Sequence, residues 1–245
     1  MVDAQKEGVR LHRYIAQCGV CSRRRAEEFI EEGRVTLNGE VVTKLGTKTF
    51  PGDDVKVDGA AVRPQKLVYL VMYKPKGVVT TMSDDRGRRT VADLLPRLES
   101  TVKPVGRLDM DTDGLLLFTN DGDLATSLSH PSRSVEKEYE ATVEGEVSDS
   151  AIARIRKGVV IEGRKTKTAE CEVLGTTPSS SKLRITITEG WKRQVRLMCE
   201  AVGHPVIELR RTRYGPLRLK GMAPGECRLL GQQMVESLRK AAEKK

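Results

Sequence analysis

Aromatic side chains are scarce in this sequence, at 4% of 245 residues. So few rings exclude a broad base-stacking platform, and any single aromatic near a bound base then matters individually. Long apolar runs are missing as well. No window reaches the ~18 apolar residues of a membrane-crossing helix, and the opening MVDAQKEGVR has no apolar centre of the kind a signal peptide carries. The five cysteines are odd in number and irregularly spaced, which suits a reducing cytoplasm better than a disulfide framework. Cys18 and Cys21 form a lone C-x-x-C without a second pair, and Cys18 falls on an apolar stripe that suits a buried thiol. His12, His130 and His204 show no metal-ligand spacing. Asp109, Asp111, Asp113 and Gly114 open like a calcium-binding EF loop, but Leu115 to Phe118 are apolar where ligands are needed, and Asn120 stands in place of the closing Glu. No metal site, dinucleotide loop or other cofactor site is therefore expected.

Positive charge is what the chain has. Lys and Arg number 43 against 34 Asp and Glu, a formal net charge of +9. Such a surplus favours a polyanionic partner. It is unevenly placed: residues 10–25 carry Arg10, Arg13, Arg23, Arg24 and Arg25 without an acid, while Glu27, Glu28, Glu31 and Glu32 come later. One side of this segment reads either as an ordinary solvated face or as a phosphate-binding one.

The length allows one large domain and a small one. Residues 9–62 read as the small domain. Leu11, Tyr14, Ile15 and Cys18 make a helical stripe; Ser22 can cap a second helix that Gly33 ends. Short strands follow around the Asn38-Gly39 and Asp58-Gly59 turns. Ala60 to Lys66 reads as a linker. Residues 66–235 read as a larger α+β domain, a mainly antiparallel mixed sheet with flanking helices. Its expected strands are Val68–Tyr73, Val78–Thr80, Leu115–Thr119, Tyr139–Val143, Cys171–Leu174, Leu183–Thr188 and Val206–Leu209. Helical patterns fall at Val91–Leu95, Leu124–Leu128, Ala151–Ile155 and Val195–Val202, and Arg239–Lys245 reads as a frayed, solvated helix end.

Two runs could carry chemistry. In the first, Gly106-Arg107-Leu108-Asp109 with Thr112 leads straight into the apolar Leu115–Thr119 strand. An acid on a loop anchored by a buried strand suits catalysis, and equally a turn whose acids cap local amides. In the second, Glu189-Gly190-Trp191-Lys192-Arg193-Gln194-Val195-Arg196 places cations where a strand gives way to a helix. That suits an anion or a carboxylate, and equally a solvated basic face.

Together these residues resemble the pseudouridine synthase family, in its RsuA/RluB branch. The Gly106–Gly122 run resembles the catalytic motif, whose essential aspartate is Asp109 here. Tyr73-Lys74-Pro75-Lys76-Gly77 resembles the first motif, Lys137-Glu138-Tyr139 the segment of the active-site tyrosine, and Glu189–Arg196 the third motif, whose final arginine is Arg196. Trp191, Lys192 and Leu197 depart from the commonest residues of that motif. The arginine-rich start resembles the RNA-binding module of ribosomal protein S-four. His130–Arg133 and Arg213-Tyr214-Gly215 are more like the RluB type, acting on 23S ribosomal RNA, than the RsuA type, acting on 16S. A non-catalytic ribosomal RNA-binding protein would share the charge but would not need Asp109, Tyr139 and Arg196 together.

The resemblance implies a cofactor-free isomerisation of a flipped uridine in ribosomal RNA, with no membrane and no obligate protein partner. It implies that Asp109 attacks the ribose, that Tyr139 stacks on the base, and that Arg196 holds Asp109 ionised through a salt bridge of about 4 Å or less. Arg10, Arg13, Arg23, Arg24, Arg25, Lys74, Arg107, Lys192 and Arg193 are the expected RNA contacts.

Overall fold

A computed structural model describes residues 8–243; most of the opening segment read for a signal peptide, and Lys244 and Lys245 at the other end, lie outside them. The chain forms two compact units. One comprises residues up to Leu67 together with Leu98–Thr101, and the other comprises Val68–Arg97 and the chain from Val102 onward.

In the first unit, helices Leu11–Gln17 and Arg23–Glu31 pack their apolar stripes over a short sheet. Ser22 caps the second helix, its hydroxyl accepting from the Arg25 amide at 3.2 Å. The sheet runs Glu40–Val41, Val35–Leu37, Val55–Val57, Ala60–Ala61. Asn38 and Asp58 take the positive φ values that two-residue hairpin turns require. Leu11, Ile15, Ala26, Ile30, Val35, Val55 and Val57 form the core. Ala60–Ala61 is a paired strand and not the start of a linker: the Asp58-Gly59 turn folds it back onto Val55–Val57. Cys18 is only half-buried, yet burial still pushes its thiol up to about 11.

The second unit is built on a nine-stranded sheet. Its main path runs Glu170–Thr176, Ser180–Ile187, Lys137–Glu144, Val206–Tyr214, Asp113–Thr119, Tyr69–Lys74, Cys227–Leu229. Pairing is antiparallel except between Val206–Tyr214 and Asp113–Thr119, which run parallel over Arg210↔Asp113 and Arg211↔Gly114. Asp113–Thr119 is buried along its whole length, as a central strand covered on both faces must be. Lys137–Glu144 alternates, with Tyr139, Ala141 and Val143 buried.

Three expectations fail locally. Val78–Thr80 is no strand; Val79 makes one isolated bridge to Thr90. Val91–Leu95 shrinks to a 3-10 turn at Ala92–Leu94. The end of the chain is not a frayed solvated segment from Arg239. Helix Gln232–Glu243 buries Val235, Leu238 and Ala242, the last two within the domain core, and Arg239 reaches the Asp121 carboxylate at 2.6 Å. The 3–4 spacing of those apolar residues starts at Val235, ahead of the charged pair Arg239-Lys240 at which the expected segment began.

Candidate active site

The parallel junction is where the site is built. Tyr139, Arg211 and Gly114 lie in one row across three strands. Gly114 has φ +119, and a Cβ there would meet the Arg211 carbonyl oxygen at 2.3 Å, so no other residue fits beneath the neighbouring strand. The loop that precedes Gly114 carries Asp109.

That loop is held through every one of its carbonyls. The Thr80 hydroxyl donates to Leu108 O at 2.7 Å and accepts from Leu108 N at 3.2 Å. The Thr112 amide donates to Asp109 O at 3.1 Å, and the Gly77 amide to Met110 O at 2.8 Å. Arg196 Nη2 donates to Asp111 O at 3.0 Å, and Lys74 Nζ to Thr112 O at 2.8 Å. The side chains of Lys74, Thr80 and Arg196 thus help fix a five-residue loop whose carbonyls are all satisfied, as a rigid site demands, while Arg196 Nε is buried without a partner among the described residues.

Above the loop lies a cleft of about 330 Å³. Asp109 forms one wall with Arg107, Leu108 and Thr112; Tyr139 and Leu209 contribute from the sheet, and Trp191 to Val195 close the other side. Asp109 is the one carboxylate in its lining. Its side chain makes no hydrogen bond or ion pair with the described residues, so it is available to a substrate. Tyr139 is 8% exposed and faces the same space.

Residues 68–201 match the RNA pseudouridylate synthase family, and residues 9–55 match the S4 domain. The chain is 42% identical over 236 residues to the ribosomal large subunit pseudouridine synthase B of Bacillus subtilis (strain 168), covering 96% of this chain and 97% of that one. It belongs to the RNA pseudouridylate synthase family. An uncharacterised RNA pseudouridine synthase of Aquifex aeolicus (strain VF5) is 40% identical, with 95% and 94% of the two chains covered. A crystal structure of a pseudouridylate synthase superposes with a TM-score of 0.69 at 29% identity, over 94% of this chain and 99% of that one. The protein is accordingly an isomerase acting on RNA, with an S4 domain at its N-terminal end.

Within this synthase, the structure places the expected residues unequally. Asp109, Tyr139, Arg107, Lys192 and Arg193 come together around the cleft. The expected Arg196–Asp109 salt bridge is not formed. Arg196 is 8% exposed and pairs with Asp111, Nη2 to Oδ2 at 3.2 Å, while also donating to Val206 O at 3.2 Å. Arg193 shares the Asp111 carboxylate at 3.2 Å. Arg196 thus fixes the loop and not the carboxylate of Asp109. Lys74 is not an RNA contact: it is 0% exposed, and both Pro75 O and Thr112 O accept from its Nζ. Burial pushes its ammonium down to about 8, against the opposing pull of Asp113, Asp111 and Asp109. Asp113 is buried and turned away, bonded to the Tyr73 hydroxyl at 2.8 Å and Arg210 Nε at 2.9 Å.

On the S4 domain, Arg10, Arg23 and Arg24 are exposed and in no ion pair with the described residues. Arg13 is half-buried. Arg25 is tied to Glu28 and, at 3.5 Å, to Glu32, so its charge is already answered. Sequence reading took Thr80 only as the end of an expected strand and missed its hydroxyl, which bonds to both backbone groups of Leu108; a pairing 28 residues apart leaves no local signal. No group of three or more acids, cysteines or histidines among the described residues could hold a metal ion.

Proposed function

We propose that the protein converts a specific uridine of large-subunit (23S) ribosomal RNA to pseudouridine, with Asp109 as the attacking carboxylate. The observation that carries this is the single unpaired carboxylate of the cleft, with Tyr139 in the same lining. A glycosidase would need two carboxylates about 5–10 Å apart flanking the bond, and Asp111 and Asp113 are both engaged elsewhere. The relatives whose names specify the large ribosomal subunit support the choice of RNA.

The chemistry follows from the cleft. The target uridine leaves the helical stack at a cost of roughly a few kcal/mol, and contacts from Arg107, Lys192 and Arg193 to its backbone offset that cost. Tyr139 offers a flat face to the base. Asp109 engages the ribose, either by adding to C1′ or by taking the C2′ proton, and the N1–C1′ bond breaks. The base turns within the cleft, C5 bonds to C1′, the C5 proton is lost and N1 regains one. Atoms and charge balance without an external electron donor or acceptor.

Mapping pseudouridine in ribosomal RNA from cells with and without the gene names the position. Asp109→Asn keeps the shape and removes the charge. It should abolish formation at that position in vitro while RNA affinity stays within a few-fold; robust turnover by this variant would remove Asp109 from its role.

A further inference from the structure

Behind Tyr139 lie two cations that the steps above leave unused. Arg211 is the cross-strand neighbour of Tyr139 and points to the same face of the sheet. Lys137 lies two residues before Tyr139 on its strand, so it shares that face too. Arg211 is 3% exposed. Its Nε donates to Leu115 O at 2.8 Å, but its Nη2 is buried with no hydrogen-bond partner among the described residues. Lys137 Nζ donates to Val135 O at 2.9 Å. The Tyr214 ring lies against both, 5.1 Å from the guanidinium carbon and 5.6 Å from the ammonium. Neither cation pairs with a carboxylate among the described residues.

Both line a cavity of about 180 Å³ that adjoins the Asp109 cleft, sharing Gly106, Arg107, Tyr139 and Trp191 with it. The only acid in the cavity wall is Glu189, and its Oε2 is committed to the Lys167 amide at 3.1 Å and the Gln194 amide group at 2.8 Å. Two like charges held out of water without a counter-charge are costly. Burial, and then Arg211, push the Lys137 ammonium down to about 8. A negative charge arriving in the cavity would reverse the sign of that cost.

The reaction generates such a charge. When N1–C1′ breaks, the electron pair stays with N1 and the detached uracil is an anion, its charge shared among N1, O2 and O4. The charge is consumed when C5 bonds to C1′. We propose that Lys137 and Arg211 stabilise this uracil anion while the base turns, Lys137 from the cavity wall and Arg211 through its unpartnered Nη2. The inference rests on the reading of Asp109 and Tyr139 given above. A backbone phosphate is the other anion RNA could supply. It carries its charge before the reaction as well as during it, so it would strengthen binding in the ground state, whereas the uracil anion exists only between the two bond changes.

The difference can be measured with full-length enzyme and a transcript of its mapped target, made with uridine or with 5-fluorouridine. Fluorine at C5 makes N1 more acidic, so the departing base needs less help; because C5 then has no proton to lose, loss of the original N1–C1′ bond is followed. Lys137→Met and Arg211→Gln should each slow single-turnover cleavage about 100-fold or more on uridine, the scale on which a removed anion-stabilising donor acts. Kd should stay within about threefold, the defect should be clearly smaller on 5-fluorouridine, and Lys137→Arg should recover much of the rate. A weakened Kd with an unchanged rate at saturation would assign the pair to a phosphate and overturn the proposal. So would an equal defect on both substrates, which marks a structural role. If Arg211→Gln does not fold, the half-buried Lys137 decides alone. Asp109→Asn should be inactive on both transcripts; activity there would defeat the reading of Asp109 independently of the pair.

Discussion

At the scale of single residues, the loop of Asp109 is held by side chains that do not line the cleft. Lys74 and Arg196 grip two consecutive carbonyls, Thr112 O and Asp111 O, of the loop that carries Asp109. A misplacement of about 1 Å can cost a reaction on the order of a hundredfold. Arg196→Met and Lys74→Met should therefore lower kcat by about 10- to 100-fold with RNA affinity nearly intact, whereas Lys192→Gln and Arg193→Gln should act mainly on affinity. Lys74→Met also carries a pH signature. The folded-state pKa of Lys74, about 8, lies below the ordinary 10.5. Between those values the unfolded chain binds a proton that the folded one does not, so this lysine makes stability rise with pH across that window. Urea titrations at either end should show a smaller rise in the variant; an unchanged rise would mean that Lys74 titrates normally.

The same residues show what could be read in advance. The resemblance singled out Lys74, Asp109, Tyr139 and Arg196; the residues by themselves left Asp109 equally a capping acid and the run ending at Arg196 equally a solvated basic face. Their partners were not legible. Asp109 and Asp111 are two positions apart in a polar loop, and which of them faces Arg196 depends on how helix Gln194–Glu200 meets the loop. The charge of Lys74 suggested phosphate, but its place at the inner end of the strand Tyr69–Lys74 decides otherwise.

Among the elements, the junction of Val206–Tyr214 with Asp113–Thr119 fixes the geometry. It is the one parallel contact in a sheet otherwise antiparallel, and it places the start of one strand beside the middle of the other. Periodicity found both strands. It could not find their pairing, since register between strands remote in sequence leaves no local trace. The expected strand Val78–Thr80 failed for a related reason: three β-branched residues have strand propensity, but only Val79 finds a bridge partner, at Thr90. Gly114→Ala tests the junction directly. The added methyl group would sit 2.3 Å from the Arg211 carbonyl oxygen in a backbone conformation that disfavours side chains. Unfolding free energy should fall by about 3–5 kcal/mol, and what folds should be nearly inactive. A variant with wild-type stability would mean that the two strands do not approach as closely as described.

For the whole molecule, net charge of +9 is the property most readable from sequence and the least specific. The structure divides it. Many cations are spent internally: Arg25 on Glu28, Arg34 on Asp58, Arg213 on Glu136, Arg239 on Asp121. Of the five arginines in the acid-free run, Arg10, Arg23 and Arg24 remain exposed and outside any ion pair with the described residues. We propose that these three are the RNA-facing charges of the S4 domain. Each phosphate contact contributes about 0.7–0.9 to the slope of log affinity against log salt, so Arg10→Gln, Arg23→Gln and Arg24→Gln together should flatten that slope by about 2–3. Affinity at low salt should fall with it, because released counterions supply much of the binding free energy. Turnover at saturating RNA should be preserved, since none of the three lines the Asp109 cleft. Arg25→Gln should change the slope little, its charge being already answered by Glu28 and Glu32. Equal effects from Arg25 and from the exposed three would show that local ion pairs open when RNA arrives, and that exposure in the free protein does not select the binding arginines.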